Sequence, residues 1–177
     1  MSMNEKIKVE RLSRDNLRKA SVLADGIFVD NILGSDFLAP SRDFEASLDE
    51  NGQGNYGRER YGRIVFAMYF AALNEDRKVV GTCGLYELDK DKCDADWLGW
   101  FCVDEGYRNC GVGSLLLDHA ICRSKERGKS FLRLYTPAVH GKSAAQALYL
   151  EKGFQIFDGG LFGQDADCKI FQKDIRT

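Results

Sequence analysis

Only two histidines occur in this chain, and its six cysteines, at positions 83, 93, 102, 110, 122 and 168, form no Cys-x-x-Cys pair. That scarcity argues against a zinc site of the usual Cys/His kind and leaves no metal expected. The cysteines sit mostly inside apolar runs, as in a reduced, cytoplasmic protein. A basic excess is also missing: 25 Lys and Arg face 27 Asp and Glu, for a formal net charge of −2. With no positive footprint, no nucleic-acid partner is expected. No apolar run approaches the roughly 20 residues of a membrane span, and the N-terminus lacks the apolar core of a secretion signal. Neither internal repeats nor low-complexity segments appear. What remains is a chain of 177 residues, 44% hydrophobic. That suits one ordinary domain with a core of its own, here taken as 1–177.

The stretch from Trp97 to Gly113 organises the chain. Trp97 to Val103 is a continuous apolar run rich in aromatics, as in a strand buried on both faces. Asp104 to Tyr107 is polar and contains Gly106, which marks a turn. Arg108-Asn109-Cys110-Gly111-Val112-Gly113 then leads into Ser114 and an apolar segment in which Leu116 and Ala120, and Leu117 and Ile121, recur at helical spacing. A buried strand therefore feeds a glycine-rich turn that opens a helix. The first N–H groups of a helix lack intrahelical partners, and the macrodipole adds partial positive charge there. Glycines let the backbone approach a ligand, and Arg108 adds a fixed cation, so the turn reads as an anion site suited to a diphosphate.

Two nucleotide-binding patterns fail here. A dinucleotide fingerprint needs a third glycine where Leu116 stands. Gly128-Lys129-Ser130 and Gly141-Lys142-Ser143 end like P-loops, but Arg123 and Thr136 occupy their first-glycine positions. By contrast, Arg108, Gly111 and Gly113 fit [RQ]-x-x-G-x-[GA], the acetyl-CoA signature of the GNAT superfamily of N-acetyltransferases. Downstream, Ala145 to Phe154 resembles that family's A-x-x-L-Y-x-x-x-G-F segment, and Lys78 to Tyr86 its K-V-V-G-x-x-G-L-Y strand. The resemblance covers the chain from about Tyr61 onward.

Read in order, the pattern predicts a strand over 7–12, a helix to about Phe28, and a long excursion at about 30–62 with a short helix at Phe44 to Leu48. A strand at least from Tyr69 to Leu73 and its hairpin partner from Lys78 to Leu88 follow, then the organising strand and the long helix. Phe131 to Thr136 is a strand, Ser143 to Gly153 a helix opened by a Ser143/Gln146 capping box, and two short strands close the chain. This order gives an α+β domain with a mixed sheet. The resemblance implies the GNAT fold, a central, mostly antiparallel sheet with helices on both faces. In it the organising strand and the next one diverge and admit the cofactor arm.

The resemblance also implies a chemistry: acetyl transfer from acetyl-CoA to the primary amine of a small molecule or an exposed amino group, by direct attack in a ternary complex. A sensor that binds acyl-CoA without turnover is the alternative, and a homodimer is compatible with either. Strand backbone at Phe101, Cys102 and Val103 is expected to hold the pantetheine arm. Arg108 and the segment Asn109, Cys110, Gly111, Val112, Gly113 and Ser114 are expected to cradle the diphosphate. Tyr149 matches the family tyrosine that serves the departing sulfur. Many members carry Asn seven residues before it, where this chain has Lys142 followed by Ser143, which becomes a candidate cofactor contact. The family's strand glutamate aligns with Trp97, leaving Asp96 and Glu87 as candidate bases beside an ordered water.

Overall fold

The computed structural model describes residues 6–28, 39–48, 58–59, 62–137, 144–157 and 168–176. The elements in chain order are β1 (Lys8–Arg11), α1 (Arg14–Phe28), α2 (Pro40–Ala46), β2 (Arg58–Glu59), β3 (Gly62–Leu73), β4 (Val79–Leu88) and β5 (Ala95–Val103). A 3-10 turn at Glu105–Tyr107 leads to α3 (Val112–Glu126), β6 (Phe131–Pro137), α4 (Ala144–Glu151), β7 (Gln155–Ile156) and β8 (Cys168–Asp174). The sheet runs β1-β3-β4-β5-β6-β8-β7, with β2 paired to β3. Only the β5–β6 pair is parallel; the other pairings are antiparallel. This is the α+β architecture expected.

Helices cover both faces. On one face α3 packs Val112, Leu116, Leu117 and Ala120 against Phe70, Val80, Leu85, Leu132 and Leu134, and Tyr149 of α4 joins them. On the other, Ala20 and Ala24 of α1 and Phe44 of α2 meet Tyr69, Tyr86, Trp97 and Cys102. Burial on both faces is why β3, β4 and β5 read as unbroken apolar runs rather than alternating ones.

Three boundaries differ from the sequence pattern. α2 begins at Pro40 rather than Phe44, because proline at the first helical turn needs no N–H partner and already has helical φ. β3 is a strand along all twelve residues, since its far half also pairs with β4. β5 begins at Ala95, so Asp96 lies inside the strand rather than in the charged loop before it. Of the 30–62 excursion only residues 39–48, 58–59 and 62 are among the described ones, and Ser143 lies outside them.

Gly84 of β4 and Gly99 of β5 face each other across the ladder. A Cβ on Gly84 would stand 2.0 Å from the Tyr69 ring. The two glycines therefore form a shallow slot for that ring, whose other side meets Phe44 at 4.9 Å between centroids. In this way α2 is drawn down onto the centre of the sheet.

Candidate active site

β5 and β6 pair only through Ala95–Phe131, Asp96–Leu132 and Trp97–Arg133. Beyond Trp97 they part: β6 continues to Pro137 against β8, and β5 continues to Val103 against β4. The β6-facing edge of β5 from Leu98 onward is thus left open as a row of main-chain donors and acceptors. An open edge inside a sheet is what a ligand with its own amide groups can pair with.

The opening coincides with a bulge. Thr82 pairs with Cys102 and Gly84 with Gly99, so β5 carries one residue more than β4 across this interval. Trp100 takes φ +44°, a left-handed conformation rare for a bulky residue. The Thr82 hydroxyl donates to the Trp100 carbonyl at 2.7 Å and so holds the bulge. Alternation counted from Trp97 would put Trp100 on the α3 face. The extra residue reverses the phase: Trp100 and Cys102 pack with the α1/α2 face, and Phe101 and Val103 with the α3 face.

The glycine turn sits at the same end of β5. Gly111 caps α3 in the left-handed region, with φ +82°, and no side chain caps the helix start. No acidic residue stands in the first turn of α3. The N–H groups there face no competing carboxylate and are free for an anion. Arg108, Asn109, Cys110 and Gly111 are exposed, Gly113 and Ser114 are half-buried, and Val112 is buried in the core. Arg108 donates through Nε to the Val103 carbonyl at 3.4 Å, which ties its guanidinium to the end of β5. A Cβ on Gly113 would lie 3.3 Å from Leu148, 3.6 Å from Phe101 and 3.7 Å from Val103. Turn, bulged strand and α4 therefore converge around Gly113.

Tyr149 completes this convergence. Its ring packs on Phe101 at 5.8 Å and on Phe154 and Phe171 at 6.0 Å each. Its hydroxyl makes no hydrogen bond among the described residues. Burial pushes the phenol well above its ordinary range, so it stays protonated and can act as a donor. Burial likewise pushes the Cys102 thiol up to about 11, and Cys102 faces away from Phe101 and Val103.

Asp96 and Glu87 are not brought to this end. The Arg127 guanidinium pairs with Asp96 at 3.1 Å and also with Glu87, and Lys129 holds Glu87 at 2.7 Å. Arg127 follows the C-terminus of α3, about 22 Å along that helix from the glycine turn. Both carboxylates thus tie β4 and β5 to the far end of α3. Desolvation raises Asp96 above its usual range despite the guanidinium. His119 stacks edge-on against Phe70 at 4.6 Å, within the helix–sheet packing. Among the described residues no group of three His, Cys, Asp or Glu is placed to hold a metal, and no helix is long and apolar enough to cross a membrane.

The family model for the acetyltransferase (GNAT) domain matches residues 66–156, just over half of the chain. The chain belongs to the GNAT family. Solved structures agree on the fold of this GNAT chain. A GNAT-family acetyltransferase from Staphylococcus aureus Mu50 superposes with TM-score 0.70 at 24% identity, covering 97% of this chain and 100% of its own. The ribosomal-protein-S18-alanine N-acetyltransferase from Escherichia coli gives 0.64 at 18% identity, with 97% and 96% covered. PaiA N-acetyltransferase from Thermoplasma acidophilum, solved in complex with coenzyme A, gives 0.62 at 17%, with 96% and 99% covered. No curated protein matches significantly.

Two residues tied to the bulge carried no mark in the sequence. Trp100 lay within an apolar run, and only the bulge decides which face it serves. Asp43, in the excursion, had no motif to mark it; its side chain accepts the Trp100 indole N–H at 2.7 Å.

Proposed function

We propose that this protein transfers an acetyl group from acetyl-CoA to the primary amine of a small molecule or an exposed amino group, by direct attack in a ternary complex. The observation that carries the reading is the parting of β5 from β6 after Trp97, at the same end as an uncapped α3 N-terminus and a buried tyrosine. Acyl transfer as a class follows from the family; the acceptor and the steps below are the proposal.

The residues present fit an acyl-CoA. Arg108 and the N–H groups from Asn109 to Ser114 take the diphosphate, a dianion matched to a guanidinium and a helix start. The open β5 edge at Phe101, Cys102 and Val103 pairs with the amides of the pantetheine arm. Backbone N–H at the bulge polarises the thioester carbonyl, which is where negative charge develops. Acetyl-CoA supplies the activated acyl group. Tyr149 donates its hydroxyl proton, or a hydrogen bond, to the sulfur as the C–S bond breaks. Asp96 and Glu87 have no part in this scheme, because their charges are spent on Arg127 and Lys129.

The test is thiol release from acetyl-CoA over a panel of primary amines, with the acetylated amine identified by mass. Stoichiometric thiol and acetylamine support the reading. CoA binding without release over small amines, amino-terminal peptides and lysine peptides would count against turnover.

A further inference from the structure

Asp43 lies on α2, on the opposite side of the sheet from α3, and is 4% exposed. Its Oδ2 accepts the indole N–H of Trp100 at 2.7 Å, while Oδ1 accepts no hydrogen bond among the described residues. Among the described residues no cation makes a salt bridge with it, and the charge of Arg42 beside it in the chain only partly offsets its desolvation. The chain treats its other buried carboxylates differently: Asp96 has Arg127, and Asp91 has Arg133 at 2.7 Å. Removing a charge from water is costly, and desolvation outweighs both the Trp100 hydrogen bond and the Arg42 charge and raises Asp43 above the usual carboxylate range. Its neighbourhood is aromatic. Phe28 meets Trp100 edge-on at 5.1 Å, and both rings are only half-buried. A carboxylate with one free oxygen beside aromatic rings suits a primary ammonium group. Its position matters as much as its chemistry. Trp100 is the bulge residue, so its indole ties the carboxylate to the strand that parts from β6.

We propose that Asp43 is the acceptor-side carboxylate: it receives the incoming primary ammonium group and removes the proton that blocks attack. This rests on the acetyl-transfer reading above and names its missing base. The ammonium N–H proton passes to Oδ1, leaving a neutral amine whose lone pair forms the new C–N bond at the thioester carbon. As the C–S bond breaks, its electron pair leaves on sulfur. A second proton, lost from nitrogen, balances the one the sulfur receives through Tyr149. Asp43 returns its proton to solvent, so one ammonium and one thioester give one amide, one thiol and one proton. Trp100 is a positioning residue, since its N–H fixes Oδ2.

The test uses the CoA-loaded full chain and the indole N–H signal of Trp100, one of two tryptophans, identified by its loss in Trp100→Phe. The probes are n-butylammonium chloride and its neutral analogue n-butanol. The expected result is a saturable shift with the ammonium that is about tenfold or more weaker with the alcohol, as for loss of a charge-assisted contact. Asp43→Asn keeps the volume and an acceptor for the indole, and should abolish the preference while CoA affinity by calorimetry is unchanged. Asp43→Glu should restore it in part. With the best amine from the panel, Asp43→Asn should lower kcat/KM by roughly 10² or more, with the KM for acetyl-CoA held. Equal responses to amine and alcohol in the wild type, or an ammonium preference that survives Asp43→Asn, overturn the assignment. Failure of the wild type to bind CoA overturns the transferase reading itself, and the calorimetry separates the two failures.

Discussion

The ring of Tyr149 lies 5.8 Å from that of Phe101, and through this pair α4 rests on the strand that carries the bulge. The hydroxyl takes no partner among the described residues, and in the proposed scheme it is the proton donor.

Tyr149→Phe separates these two roles. It keeps the three ring contacts and removes only an oxygen that holds no hydrogen bond there. Turnover should fall roughly 10²-fold or more, with the urea midpoint nearly unchanged. Wild-type turnover would remove Tyr149 from the mechanism. Tyr149→Ala, which empties the ring site, should instead cost about 3–5 kcal/mol of stability.

The Arg127 cluster makes a prediction about pH. Arg127→Ala leaves Asp96 fully buried without its guanidinium, and the loss should be about 3 kcal/mol near neutral pH. Asp96 already binds its proton more tightly in the fold than a free carboxylate does, because desolvation outweighs its charged neighbours. Between the unfolded and folded pKa values the native state holds more protons, so stability falls as pH rises through that window. Removing Arg127 lifts the folded value further. The deficit of the variant should therefore be largest above that value and shrink as pH falls toward the usual carboxylate range. Urea unfolding of both proteins from acid to neutral pH measures this. A deficit independent of pH would mean that lost packing of Arg127 over Phe66, at 3.6 Å, is the whole effect.

Cysteine labelling maps the cofactor end without mutation. Cys93, Cys110 and Cys122 are exposed, whereas Cys83 and Cys102 are buried. Burial pushes the Cys102 thiol up to about 11, so iodoacetamide at mildly alkaline pH should modify the three exposed cysteines and spare the two buried ones. CoA should protect Cys110, which lies in the turn, and leave Cys93 and Cys122 reactive. Peptide mass mapping with and without CoA reads this directly. Unprotected Cys110 would place the diphosphate elsewhere.

The parts of the site that depend on local sequence were legible. Gly111 and Gly113 marked the turn before α3, and Gly111 does take a positive φ there. Tyr149 was singled out because Ala145 to Phe154 resembles the family's A-x-x-L-Y-x-x-x-G-F segment. The bulge was not legible, since one extra residue in a run of apolar side chains leaves no mark on its composition, yet it decides that Trp100 faces α2. Asp43 was hidden for a related reason: its meaning comes from a partner 57 positions away. Asp96 and Glu87 looked like available acids because the sequence does not show that α3 ends beside them with Arg127.

The central claim is that the glycine turn and the parted strands hold an acyl-CoA, and titration calorimetry of CoA into the wild type and Arg108→Glu tests it most directly. Arg108 is exposed, so its reversal should leave the fold intact. One CoA should bind per chain in the wild type, and Arg108→Glu should weaken it by at least about tenfold, the scale of losing one charge-assisted contact and adding repulsion. No heat with the wild type, or equal affinity in the two proteins, would contradict the account.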